Sequence, residues 1–310
     1  MKKYTVGVDV GGTNVKFGLI DPSGAVLHRN RLVTKSYGSD KNRLIKALAE
    51  GVLGLIAASG ISKAQVAGVG IGLPGLVNPK DGLVIFLPNI PGWRNVPLKA
   101  KLEKYLGLPV YLENDVNLIT LGEWGFGAGR GCCNMIGMTL GTGVGAGLIL
   151  DGKLYRGEGF AAGELGHMPI NFEGPRCNCG SFACFETFVG NGRLQRMAEE
   201  KFQRPGIALE DVFQLAKTGN VKALRFWQET GETIGTGLIG AVNLLNPTHI
   251  VIGGGVSRSH QFLFPAIRRT IKARAMAVQG RMVKIVRARL GDDAGIIGAQ
   301  ILVNQEQQAK

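Results

Sequence analysis

Residues 4–21 read YTVGVDVGGTNVKFGLID: an apolar run carrying one acid, Asp9, then the pair Gly11-Gly12, then a second apolar run. Two β-rich runs around a glycine turn predict an antiparallel hairpin with Gly11 and Gly12 at its tip. The theme returns at 134–150, NMIGMTLGTGVGAGLIL, where Gly141-Thr142-Gly143 makes the turn. Two glycine-tipped hairpins in one chain predict two related lobes. Elsewhere the apolar period lengthens. Leu44, Ile45, Leu48, Val52, Leu55 and Ile56 share one helical face over 41–59, and Trp227, Ile234, Leu238, Val242 and Leu245 share another over about 222–245. Asn246-Pro247 ends that second helix. VAGVGIGLPG (66–75) reads as a buried strand entering a loop, HIVIGGGV (249–256) as a strand, and GDDAGIIGAQILV (291–303) as a joint leading into a closing helix. VYLEND (110–115) is a strand whose last residue, Asp115, is expected to cap a helix starting at Val116. Helices alternating with strands give the α/β class.

The chain has 310 residues, enough for two ordinary domains, and its 45% hydrophobic and 19% charged content is globular. No apolar run approaches a membrane span, and Asp9 with the glycines breaks any signal-peptide core, so a soluble cytoplasmic protein is expected. The net charge of +13 favours anionic ligands. From Arg268 to Leu290 there are eight Lys or Arg and no acid, but no interleaved aromatics. That argues for a solvated basic helix and strand and against a nucleic-acid surface.

Three of the five cysteines lie in CNCGSFACFE, residues 177–186. In a reducing compartment such a cluster points to a metal rather than to disulfides. Cys177, Cys179 and Cys184 with His167 of GELGH (163–167) form a Cys₃His set suited to tetrahedral Zn²⁺. Four protein ligands close the shell, so the zinc is structural: it pins a loop and fixes one imidazole nitrogen, leaving the other for a ligand. Cys132 and Cys133 are expected at the start of an apolar strand as small buried thiols. DVGGTN (9–14) and LGTGVG (140–145) offer unobstructed backbone N–H groups and a threonine hydroxyl, which suits a polyphosphate, and the third glycine turn, Gly253–Val256, suits an adenine. Neither GxxxxGK[ST] nor the strand-helix GxGxxG fingerprint is present. Glu164 and Glu186 flank the cysteine loop, and a rigid group of polar acceptors suits a polyol such as a sugar.

DVGGTN, ENDVN (113–117), GTGVGAG (141–147), GELGH and CNCGSFACFE, in this order over nearly the whole chain, resemble the ROK family of sugar kinases, in particular its bacterial glucokinases. The resemblance implies a two-lobed actin-like ATPase fold, hexokinase-type and ribonuclease H-like, with a central cleft closing over ATP-Mg²⁺ and a hexose. It implies a small lobe at 1–114 plus 296–310 and a large lobe at 115–295 carrying the zinc loop. By the same similarity Asp115 is the catalytic base for the sugar's 6-hydroxyl. Gly75, Asn89 of PNIPGW, Asn114, Asp115, Glu164, His167 and Glu186 are sugar contacts. Asp9, Gly11, Gly12, Thr13, Asn14, Lys16, Gly141, Thr142 and Gly143 form the phosphate and magnesium region, and Gly254 and Gly255 the adenosine side. A homo-oligomer, dimer or tetramer, is expected. Two residues depart from the family pattern: Ala183 stands where glycine is usual before the last cysteine, and Asn14 where many members have lysine. The first lobe begins at residue 4, without room for a winged-helix module, which argues against the DNA-binding repressor branch. The expected reaction is glucose 6-phosphorylation. The alternatives are fructose, mannose, allose or an N-acetylhexosamine as substrate, polyphosphate as donor, or a sugar-responsive regulatory protein without catalysis.

Overall fold

The computed structural model describes residues 3–38, 40–88 and 90–308. The chain divides into two compact units, and each has its own apolar core.

The first unit takes the chain up to Gly131, Leu154–Ala162, and the chain from Arg289 onward. Its elements are β1 (Tyr4–Val10), β2 (Asn14–Ile20), β3 (Val26–Val33), α1 (Lys41–Ser59), β4 (Val66–Leu73), β5 (Leu76–Asn78), β6 (Leu83–Phe86), β7 (Arg94–Val96), α2 (Leu98–Leu106), β8 (Val110–Asn114), α3 (Asp115–Gly125) and the C-terminal helix Ala294–Gln308. The main sheet runs β3-β2-β1-β4-β8, with β1–β2 and β2–β3 antiparallel and β1–β4 and β4–β8 parallel. A small sheet, β5-β6-β7, is separate. The opening hairpin forms as the sequence predicts, Val10 opposite Val15 and Gly11 N–H donating to Asn14 O. β4 is buried at every residue, as a parallel strand covered on both faces must be. Asp40 caps α1 by accepting from the Asn42 and Arg43 N–H groups, and Gly60 ends it in the left-handed region.

The C-terminal helix sits at unusually close range to its neighbours because glycines face it. A Cβ on Gly7 of β1 would overlap Ile296 O, one on Gly122 of α3 would overlap Ala294 O, and one on Gly298 would overlap Leu118 O. These glycines serve backbone approach rather than turning. Through them α3 is locked to the C-terminal helix inside the first unit, so the chain leaves that unit only after Gly131, not at the 114/115 boundary the sequence suggests.

The second unit comprises Cys132–Lys153 and Gly163–Ala288. Its elements are β9 (Met135–Leu140), β10 (Val144–Leu150), β11 (Lys153–Tyr155), α4 (Glu186–Val189), α5 (Asn191–Phe202), α6 (Leu209–Lys217), α7 (Val221–Leu245), β12 (His249–Gly253), α8 (His260–Arg274), α9 (Ala277–Met282) and β13 (Lys284–Arg287), the chain passing back to the first unit within β11. The sheet order is β11-β10-β9-β12-β13, again an antiparallel hairpin followed by two parallel strands. The two sheets therefore repeat one topology, as the paired glycine hairpins predict. α7 is capped by Asn220 and ends at Asn246, which is left-handed. Cys132 and Cys133 precede β9 rather than starting it; Cys132 is buried against the ring of His249, and Cys133 is exposed. The basic stretch forms the last turns of α8, all of α9 and β13, with Arg269 paired to Glu232 of α7 at 3.5 Å. Among the described residues no helix is long and apolar enough to cross a membrane.

Candidate active site

In the first unit the chemistry gathers where β1, β4 and β8 end. Asp9 on β1 pairs in register with Lys16 on β2 and with Gly72 on β4. A Cβ on Gly72 would come within 3.3 Å of the Asp115 backbone, so the glycine lets the strand-to-helix corner of β8 and α3 close over β4. Asp115 does not cap α3, as the sequence suggests; it is the first helical residue. Asn114 is the cap, its Oδ1 accepting from Val116 N–H at 2.9 Å and Asn117 N–H at 3.1 Å. Both residue types cap well, and the strand simply ends one residue earlier. The Asn114 amide also donates to Gly75 O at 3.2 Å. Gly75 adopts φ 146°, and a Cβ there would collide with Phe86 O, so only glycine fits.

Burial raises the Asp115 carboxyl to about 7, and the neighbouring Asp9 charge adds to the rise. Asp9 is itself raised by burial, partly offset by Lys16. Two carboxyl groups are thus held close enough to feel each other, one poised to exchange a proton near neutrality. The Lys16 ammonium also reaches Asp292, donating to its backbone carbonyl at 3.4 Å. Gly11 and Gly12 are partly accessible at the hairpin tip and Thr13 is exposed; Thr34 props the tip by donating to Gly11 O at 2.7 Å. Asn14 opens β2. Asn89 lies outside the described residues.

In the second unit His167, Cys177, Cys179 and Cys184 place their ligand atoms all within 4.8 Å of one another. Cys179 Sγ and Cys184 Sγ are 3.7 Å apart, and Cys177 Sγ lies 3.5 Å from His167 Nδ1. Zn–S bonds of about 2.3 Å and Zn–N bonds of about 2.0 Å at tetrahedral angles require separations of about 3.8 and 3.5 Å. The donor set therefore fits zinc in its chemistry, and these two separations match a tetrahedral site. Without a cation, burial pushes the Cys177 thiol up to about 12, so a bound metal is what would hold it as thiolate. The loop is a short irregular hairpin, Pro169 bridged to Cys184 and Arg176 to Phe182. Ala183 is fully buried with φ 55°, a left-handed conformation that explains why glycine is the usual family residue there. His167 turns Nδ1 toward the cysteines and Nε2 toward Glu164, 3.8 Å away. Glu186 Oε1 accepts from the Cys177 thiol at 3.1 Å.

The same unit brings its glycine turns together. A Cβ on Gly254, at φ 83°, would overlap Leu140 O, so the Gly254-Gly255 turn abuts the end of β9 beside Gly141–Gly143. A Cβ on Gly143 would meet the Glu186 carboxylate at 2.6 Å, and Asn191 N–H donates to Gly141 O. Next to Gly255 opens a cavity of about 470 Å³ lined by Asn191, Gln195, Trp227 and Arg258 among others. Sequence reasoning missed these four as a group: they come from α5, α7 and the turn after β12, and none sits in a motif.

Two sheets of matching order, each led by a glycine-tipped hairpin, constitute the actin-like ATPase fold in its hexokinase-type form. Within that class the chain belongs to the ROK family, whose model matches residues 5–306. It is 33% identical to a glucokinase from Thermotoga maritima, with 98% of each chain covered. It is 30% identical to the xylose repressor of Bacillus subtilis, covering 97% of this chain and 77% of that protein. A ROK family glucokinase from Streptomyces griseus, solved with glucose and AMPPNP, superposes with a TM-score of 0.82 at 33% identity over 97% of this chain and 99% of the other.

Proposed function

We propose that the chain is an ATP-dependent hexose kinase that phosphorylates glucose on its 6-hydroxyl. The observation that carries this reading is the Asp115 carboxyl, half-buried at the strand-to-helix corner and raised to about 7 by its desolvation and by the neighbouring Asp9. Such a group is ionised in a useful fraction at neutral pH yet basic enough to take an alcohol proton in the transition state. Its Oδ1 accepts the Val116 N–H. As the hydroxyl proton passes to Asp115, the sugar oxygen attacks the γ-phosphorus and the bond to the departing ADP oxygen breaks.

Positioning and charge stabilisation supply the rest. Asp9 offers the hard oxygen that a magnesium-bound nucleotide requires. The backbone N–H groups of Gly11, Gly12 and Gly141–Gly143, the hydroxyls of Thr13 and Thr142, and Asn14 and Lys16 hold phosphate oxygens. Gly254, Gly255 and the adjoining cavity take the adenosine. Gly75, Asn89, Asn114, Glu164, His167 and Glu186 contact the sugar. Zinc held by His167, Cys177, Cys179 and Cys184 supplies rigidity when bound, and takes no part in bond making. His167, tied through Nδ1, keeps Nε2 for the sugar.

ADP release measured across glucose, fructose, mannose, allose and N-acetylhexosamines, with Asp115→Asn alongside, tests the reading. Glucose is expected to give the highest kcat/KM, and the variant to lose about 10²–10⁴-fold in kcat. An undiminished variant removes the base assignment, and a preference for another hexose changes the substrate alone. Similarity to a xylose repressor makes a sugar-responsive regulator the second reading. Absence of turnover with every hexose, together with sugar-dependent DNA binding, would establish it.

A further inference from the structure

The corner that carries Asp115 is held by an ion pair between a buried carboxylate and a half-buried guanidinium; Glu113 opens the ENDVN stretch, but nothing in the sequence marks Arg156 as its partner. Glu113, one residue before Asn114, is 3% exposed, and both its carboxylate oxygens are engaged. Oε2 accepts from Arg156 Nε at 2.6 Å; Oε1 accepts from the Asn114 backbone N–H and from Asn117 Nδ2, each at 2.9 Å. Arg156 belongs to Leu154–Ala162, the short return of the chain into the first unit, and its other end lies 3.9 Å from Glu306 on the C-terminal helix. One carboxylate thus ties together the end of β8, the first turn of α3 and a segment 43 residues further along the chain. Asp115 has no comparable anchor. Among the described residues its side chain accepts only from backbone N–H groups of its own first turn, those of Val116 and of Asp115 itself, so its place is set by the backbone on which it stands.

We propose that Arg156 and Glu113 are positioning residues for the phosphoryl transfer: together they fix the Asn114-Asp115 backbone so that the base meets the sugar hydroxyl in line. This rests on the kinase reading above. Burying a carboxylate against a half-buried guanidinium is a poor way to gain stability, since an apolar pair of similar volume usually serves as well or better. What the pair adds is geometry. Arg156 presents a planar guanidinium whose Nε points at one oxygen, which leaves the other oxygen free for the two donors of the corner. Neither residue touches the reacting atoms in this scheme.

The experiment uses three full-length variants: Arg156→Lys, Arg156→Met, and Arg156→Met combined with Glu113→Gln. The last removes both charges of the pair, so no unpaired buried carboxylate is left to unfold the protein. Steady-state kinetics and amide hydrogen exchange at Val116 and Asn117 are read on each. In the double variant kcat is expected to fall about 10–100-fold, because a misplacement of the order of 1 Å costs that much. KM for ATP should stay within about threefold, and exchange at the two capped amides should quicken at least tenfold. Arg156→Lys, which keeps the charge but not the fork, should recover part of the loss. Wild-type kcat and unchanged exchange in the double variant would overturn the proposal, as would a loss confined to KM. Faster exchange in a protein whose wild type turns over no hexose overturns the kinase reading and leaves the anchoring of the corner standing.

Discussion

At the scale of single residues, Asp115 shows how environment shifts a carboxyl. Its carboxyl is ordinarily half-titrated at 3.8, and burial beside Asp9 moves that to about 7. In the proposed role Asp115 must be ionised to accept a proton, so kcat/KM should climb about tenfold per pH unit below 7 and level off above it. The same shift bears on stability. The folded state holds the Asp115 proton more tightly than the unfolded chain, so this contribution is complete below about pH 4 and is lost as pH rises through 7. Asp115→Asn, which never ionises, should therefore gain stability relative to wild type between pH 4 and pH 8. Urea midpoints at the two pH values measure it; an equal difference at both would show that the carboxyl is not raised. The motif ENDVN marked the corner, but not which residue caps the helix. Asn114 caps, and Asp115 is the first helical residue.

At the scale of elements, glycines decide how closely the first unit packs. Gly298 faces Leu118 O with no room for a methyl group, whereas Gly54, midway along the exposed face of α1, has open space where a Cβ would sit, with nothing within 4 Å. Gly298→Ala should thus cost about 1–3 kcal/mol or more through overpacking. Gly54→Ala should instead add about 0.5–1 kcal/mol, the helical preference of alanine over glycine. Chemical denaturation of both variants separates the two roles; a stable Gly298→Ala protein would mean that α3 and the C-terminal helix separate readily. Both glycines are equally visible in the sequence. Only packing tells them apart, because the clash is with backbone from another helix.

At the scale of the whole molecule, two units with separate cores and one thiol-rich loop predict an asymmetric response to chelation. Metal analysis should find about one zinc per chain, and its removal by a chelator should lower the unfolding temperature of the second unit while leaving the first unit's transition in place. Scanning calorimetry with and without chelator reads this directly. A metal-free protein with unaltered transitions would leave the Cys₃His cluster as packed thiols. The sequence by itself determined the α/β class, the two glycine hairpins, the long helices and the Cys₃His cluster. Each of these is written in short-range periodicity or in ligands drawn from an eighteen-residue window, 167–184. Only the tertiary structure decided where the units divide, that Asn191, Gln195, Trp227 and Arg258 share a cavity, and that Arg156 grips Glu113. Those relations join residues tens of positions apart, and an isolated charge or glycine carries no mark of its partner until the chain has folded and burial has made the pairing costly to break.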